Sequence, residues 1–122
     1  MTQNIGIDIC SIKRIKKALE QSGFKKRVFS AEEILYADDK AVPEIHYAAA
    51  FAAREALAKA LGWGLAKTGI KSGSVVRTEH GPEFSFTDFF AERLKQEKIK
   101  NICLSISHED DIAVAIVMIE RP

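Results

Sequence analysis

Glu55 and Lys59 stand one helical turn apart in the stretch FAAREALAKALGWG (residues 51–64), which sets a carboxylate and an ammonium on one edge. Alone, such a pair is a solvated ion pair worth about 0.2–0.5 kcal/mol. Asp8 sits between Ile7 and Ile9 in an alternating run, on the same face as Gly6 and Cys10. Gly6 removes bulk beside the carboxylate and leaves room for something to approach it. Taken by itself, Asp8 is a strand-end carboxylate facing water. His108 ends a second alternating run, and a lone histidine is more often a structural hydrogen bonder than a catalyst. Lys13, Arg14, Lys16 and Lys17, continued by Lys25, Lys26 and Arg27, make a basic stretch that is either solvated or a dock for an acidic partner.

The elements that carry these groups follow from periodicity. Residues 4–10 alternate around Ile5, Ile7 and Ile9, the pattern of a strand. Ser11 is placed to cap a helix over residues 12–22, with Ile12, Ile15, Ala18 and Leu19 buried and Gly23 ending it. Ser30 and Glu33 form a capping box, so a short helix starts near Ala31. Residues 38–44 read as loop, with Pro43 as a breaker, and a long helix is entered from about Glu44 or Ile45. It buries Ala53, Leu57, Ala60 and Leu61, and Gly62 falls at its left-handed cap.

Residues 64–73 connect to short strands over 74–78 and 84–86, separated by the turn Glu79-His80-Gly81-Pro82. Thr87 caps a helix reaching about Lys98, with Phe90, Leu94 and Phe89 inward. Residues 102–108 alternate as a strand, and 109–111 make an acidic turn. Residues 112–119 are nearly all apolar, as in a central strand buried on both faces. The mixture lacks a strict βαβα order, which points to α+β with a largely antiparallel sheet packed against the long helix.

A chain of 122 residues suits one domain with one core. Its 47% hydrophobic and 29% charged residues are those of a soluble globular protein. No apolar run approaches the roughly 20 residues that span a bilayer, and no secretory signal opens the chain, so it reads as cytoplasmic. Cys10 and Cys103 have no metal-ligand spacing and sit in apolar strand patterns, as reduced core residues do. The net charge of +1 conceals an asymmetry: residues 1–27 hold seven Lys/Arg against Asp8 and Glu20. That distribution suggests an acidic partner rather than general nucleic-acid affinity.

Three separated blocks carry a resemblance: IGIDICSIKRI (5–15), FAAREALAKALG (51–62) with the trailing Gly64, and SISHEDDIAVAIV (105–117), with RVFSAEEI (27–34) as a weaker fourth. In order and spacing the chain resembles the holo-acyl-carrier-protein synthase family, the small 4′-phosphopantetheinyl transferases. The resemblance spans nearly the whole chain, residues 1–122 as one transferase domain. It implies transfer of the phosphopantetheine arm of coenzyme A to a serine of apo acyl carrier protein. Adenosine 3′,5′-bisphosphate would be left behind, and the holo product would serve fatty acid biosynthesis. Such a reaction is mainly positioning and charge neutralisation.

By the same resemblance, Asp8 and Glu55 hold magnesium, and Lys59 balances charge on the phosphates. His108, Gly62, Gly64 and Pro82 contact the coenzyme, and the basic helix with Lys13, Arg14 and Lys17 docks the carrier. A homotrimer with coenzyme A between neighbouring chains is implied as well. Three departures matter. Ala50 stands where the family has Arg, Arg54 where it has Lys, and Gly81-Pro82 lacks the family's Lys. Lys40, Lys67, Lys71 or His80 would have to compensate at the 3′-phosphate. The competing classes are a non-enzymatic adaptor using the basic helix, which needs no approach of Asp8 to Glu55, and an RNA-binding module. The latter expects aromatics among the basic residues, which here have aliphatic neighbours.

Overall fold

The computed structural model describes residues 2–63 and 73–122. Along the chain run β1 (Thr2–Ser11), α1 (Ile12–Leu19), α2 (Phe24–Val28), α3 (Ala31–Asp38) and α4 (Pro43–Leu61). They are followed by β2 (Gly73–Thr78), β3 (Gly81–Phe86), α5 (Asp88–Gln96), β4 (Asn101–Glu109) and β5 (Ile112–Arg121). Gly64, Lys67 and Lys71 lie outside the described residues. The expected α+β architecture is what forms. One antiparallel sheet has the order β1-β5-β4, and β2 and β3 make a separate antiparallel hairpin.

The sheet receives α4 at unusually close range because both sides are small. Ala52, Ala56 and Ala60, one per turn, are fully buried, as are Ala113 and Ala115 of β5. A Cβ on Gly6 would lie 1.9 Å from the Ala56 carbonyl oxygen and 2.6 Å from the Ala60 nitrogen. The space beside Asp8 is therefore occupied by the backbone of α4, which corrects the reading of Gly6 as room for a ligand. The opposite face of the sheet is bare: Ile5, Ile7, Ile9, Ile112 and Ile116 are all exposed. β5 is central as expected, but buried on one face only. Cys103 is likewise exposed on that outer side rather than in the core.

Helix ends obey local chemistry with three differences from expectation. α1 stops at Leu19, and Gly23, at φ 83°, opens the extra short helix α2 instead of closing α1. Pro43 occupies the first turn of α4 rather than breaking it, since the N–H it lacks would have no partner there. In α5, Thr87 caps and Phe90 and Leu94 are buried, whereas Phe89 is 81% exposed. Gly62 closes α4 at φ 76° as the sequence implied.

The Ser30–Glu33 capping box is present, and Glu33 does more than cap. Its Oε1 accepts from Ser30 N and from Arg54 Nη2, and its Oε2 accepts from Val75 N at 2.8 Å. Arg54 Nε also donates to the Gly73 carbonyl at 2.9 Å. One buried ion pair thus pins α3, α4 and β2 together. Losing either partner of such a pair typically costs about 3–5 kcal/mol.

Candidate functional site

Asp8 and Lys59 meet where β1 passes the C-terminal half of α4. Lys59 Nζ donates to Asp8 Oδ1 at 3.0 Å and to the Ile7 carbonyl at 3.1 Å. Lys59 is paired with Asp8 and not with Glu55, so the solvated pair within the helix does not form. Its side chain is 57% exposed and free to swing, whereas that of Asp8 is 18% exposed. Glu55 lies one turn before Lys59, and its carboxyl is raised above the usual range, first by burial and then by the negative charge of Asp8. Two carboxylates held against their mutual repulsion are a donor set that a divalent cation relieves. Oxygen-only donors fit magnesium, which is often held by one or two carboxylates with substrate phosphates completing its shell. Among the described residues no group of three or more His, Cys, Asp or Glu is arranged so as to hold a metal ion by itself.

Cys10 follows Asp8 on the same face. Burial, with the charges of Asp8 and Glu55, pushes its thiol up to about 11, so it stays protonated and inert. Gly62 borders the site with nothing within 4 Å of its Cβ direction. The Gly62 and Trp63 N–H groups donate to the carbonyls of Lys59 and Ala58, so Gly62 offers space and no free donor.

His108 and Pro82 are not on this flank. His108 faces Ala113, which faces Cys10, so two strand spacings, about 10 Å, separate His108 from β1. The charge of His108 is felt at His46 of α4, whereas Glu55 feels Asp8 and Lys59. His46 and Glu55 are two and a half turns apart along α4 and project from opposite sides. Pro82 pairs with Arg77 in the β2–β3 hairpin. One chain thus gathers Asp8, Glu55, Lys59 and Gly62 on one side of α4 and holds His108 apart from them.

Arg54 does not face an open site: it is 3% exposed and spent on Glu33 and Gly73. Ala50 is buried in the core. His80 pairs with Glu79 at 3.3 Å. Lys13, Arg14 and Lys17 are exposed on α1 and have no ion pair among the described residues, while Lys16 is tied to Glu44 and Lys25 to Asp38.

Asp111, an acid that no local signal marks, fixes that helix. Ser11 Oγ donates to Asp111 Oδ2 at 2.7 Å and accepts from Arg14 N. Asp111 Oδ1 accepts from Lys13 N, and the Asp111 carbonyl accepts from Ile12 N, both at 2.8 Å. These bonds hold the Asp111 carboxyl below the usual carboxylate range. The turn after β4 is thereby latched to the first turn of α1. No helix among the described residues is long and apolar enough to cross a membrane.

Comparison with known proteins bears on the family and the fold. Residues 4–117 match the model of the 4′-phosphopantetheinyl transferase superfamily. A holo-[acyl-carrier-protein] synthase of Carboxydothermus hydrogenoformans is 40% identical over 118 residues, covering 95% of this chain and 96% of its own. The crystal structure of the Neisseria meningitidis holo-[acyl-carrier-protein] synthase superposes with a TM-score of 0.89 at 33% identity, covering 97% of this chain and 98% of its own. That of the Helicobacter pylori enzyme in complex with coenzyme A superposes with a TM-score of 0.79 at 30% identity, covering 95% and 99%. With the sequence blocks, the fold and the match over residues 4–117 all in accord, the chain belongs to the 4′-phosphopantetheinyl transferase superfamily.

Proposed function

We propose that this chain is a holo-[acyl-carrier-protein] synthase, with residues 1–122 acting as one transferase domain. It moves the 4′-phosphopantetheine arm of coenzyme A onto a serine of apo acyl carrier protein, in the cytoplasm and in support of fatty acid biosynthesis. The serine oxygen forms a bond to the pantetheine phosphorus, the bond from that phosphorus to the bridging oxygen breaks, and adenosine 3′,5′-bisphosphate leaves with that oxygen. The observation that carries the reading is the meeting of Asp8, Glu55 and Lys59 at one open edge.

Asp8 and Glu55 would hold magnesium, which when bound neutralises charge on the pyrophosphate. Lys59, anchored only by exposed contacts, can turn from Asp8 to a phosphate oxygen and stabilise the charge that develops on the leaving group. α1 presents Lys13, Arg14 and Lys17 to an acidic carrier, and its latch through Ser11 and Asp111 fixes that face beside β1. An adaptor would have no use for opposed carboxylates, and the influence of Asp8 on Glu55 favours the enzyme.

Because α4 separates His108 from the Asp8–Glu55 edge, a coenzyme that touches both lies between two chains. The bare isoleucine face of the sheet supplies a surface for such copies, and a homotrimer is the assembly proposed. The direct test is incubation with apo acyl carrier protein, coenzyme A and magnesium, read by intact mass. A carrier that gains the phosphopantetheine mass only when enzyme and magnesium are both present is expected. An unmodified carrier under those conditions would end the proposal.

A further inference from the structure

The last turn of α4 is fastened on two sides, and the strand that carries Asp8 is only one of them. On that side Gly6 lets the backbone at Ala56 and Ala60 lie against β1. On the other, Gly62 at φ 76° turns the chain back, and two bonds close the helix. Gly62 N donates to the Lys59 carbonyl and Trp63 N to the Ala58 carbonyl, both at 3.1 Å. This pair of bonds ties the place of Trp63 to the residue that bears the ammonium of the site.

Trp63 is the one tryptophan in the sequence, and two residues of α5 hold its ring. The Phe90 ring meets it edge to face, with centroids 5.8 Å apart and planes at 73°, and the Arg93 guanidinium lies over it at 4.4 Å. Phe90 and Arg93 are three residues apart, so both project from one face of α5. Phe90 is itself buried and stacked on Phe86 of β3 at 5.2 Å. The cap of α4 is thereby bolted to rings rooted in α5 and the β2–β3 hairpin. Trp63 is only half-buried, at the margin of the core and beside the open space at Gly62, so filling the interior does not account for it.

Lys59 needs such a fixture. Its side chain is 57% exposed, and its contacts to Asp8 and the Ile7 carbonyl leave the ammonium free to swing. A long flexible side chain meets a reacting phosphate productively only from a fixed root, since a misplacement of about 1 Å can cost on the order of 100-fold in rate. We propose that Trp63 is a positioning residue for Lys59: clamped by Phe90 and Arg93, it fixes the last turn of α4 and so the root from which the Lys59 ammonium turns toward the phosphates of the coenzyme. The inference rests on the transferase reading and deepens it by naming what holds the cation of that site in place.

The test is a double-mutant cycle in transfer: wild type, Trp63→Ala, Lys59→Met and the two together. Trp63→Ala should lower kcat by about tenfold and leave the KM for carrier protein, which docks on α1, nearly unmoved. The double variant should be no slower than Lys59→Met alone, because no ammonium is left to misplace. Trp63→Phe, which keeps a ring for Phe90 and Arg93, should recover most of the kcat. Losses that multiply in the double variant, a Trp63→Ala of wild-type kcat, or a Trp63→Phe as slow as Trp63→Ala overturn the assignment. If Trp63→Ala lacks a native far-ultraviolet circular dichroism, Trp63→Leu takes its place in the cycle under the same criteria.

Amide hydrogen exchange reads the clamp without turnover. The Gly62 N–H, bonded to the Lys59 carbonyl, should exchange about tenfold or more faster in Trp63→Ala than in the wild type, with the amides of β5 unchanged. In Trp63→Phe it should stay near the wild-type rate. Equal protection in all three proteins overturns the clamp. Selective loss of protection in a protein that transfers nothing sinks the transferase reading, and the duty of Lys59 with it, but keeps the clamp.

Discussion

Lys59 has two possible duties, and its surroundings separate them. Its contacts to Asp8 and the Ile7 carbonyl are exposed, and an exposed ion pair contributes under about 1 kcal/mol. Lys59→Met should therefore leave the melting temperature nearly unchanged while transfer falls by roughly tenfold or more. A large loss of stability with turnover intact would make Lys59 a structural residue. Glu55 offers the complementary case. Its carboxyl is crowded by Asp8, so Glu55→Gln removes charge and keeps shape; the fold should hold, and transfer should be abolished. Near-normal turnover of that variant at millimolar-order magnesium would exclude Glu55 as a ligand.

At the scale of elements, the site depends on how closely β1 can lie against α4. Gly6→Ala would drive a methyl into the backbone of Ala56 and Ala60, and no side-chain rotation relieves a clash with main-chain atoms. The helix must move away, so a destabilisation of about 1–3 kcal/mol or more is expected in urea unfolding. Transfer should fall further than stability, because Glu55 and Lys59 ride on the displaced helix. A variant of wild-type stability and activity would show that β1 and α4 do not approach as described.

Features of this scale divide by range. The Ser30–Glu33 box, the Thr87 cap and the Gly62 end were readable because each is written within four residues. The alanine ridge shows locally only as helix formers with a buried stripe through Ala53 and Ala60, since its purpose lies in Gly6, some fifty residues earlier. Asp111 looked like one acid in a turn, because the Ser11 it bonds is distant in sequence. Arg54 shows in the sequence only as Arg where the family has Lys, for the same reason: nothing local announces that Glu33 buries it.

The basic helix gives a prediction at the same scale. Its first turn is latched by Asp111, and Arg14 is held where its charge reaches Cys10 of β1, two residues beyond Asp8. Arg14→Glu should raise the apparent KM for carrier protein several-fold, leave the KM for coenzyme A nearly unmoved and flatten the salt dependence. If carrier affinity and salt dependence both stay as they were, the face is merely solvated and the carrier docks elsewhere.

The whole molecule poses a question that one chain leaves open. A central strand as apolar as β5 suggested burial on both faces, yet Ile112 and Ile116 of β5, with Ile5, Ile7 and Ile9 of β1, face outward. Alternation in a sequence shows which side chains share a face, but not whether another copy covers it. Apolar surface gains about 25 cal/mol per Å² on burial, so a contiguous isoleucine face is a strong drive to association. The proposed contact of one coenzyme with both His108 and the Asp8–Glu55 edge would call for a second chain as well, since α4 stands between them within one chain.

Sedimentation equilibrium should therefore give a three-chain mass at assay concentration. Ile116→Glu, near the middle of the bare face and on the opposite side of the sheet from Asp8, should shift the mass to one chain. Its far-ultraviolet circular dichroism should stay native, because the residue has little to lose within its own chain. Transfer should fall with the trimer population and recover as protein concentration is raised, by mass action. An active wild-type monomer would remove the assembly and, with it, the neighbour's contribution to the site. A trimeric Ile116→Glu would place the interface on some other surface.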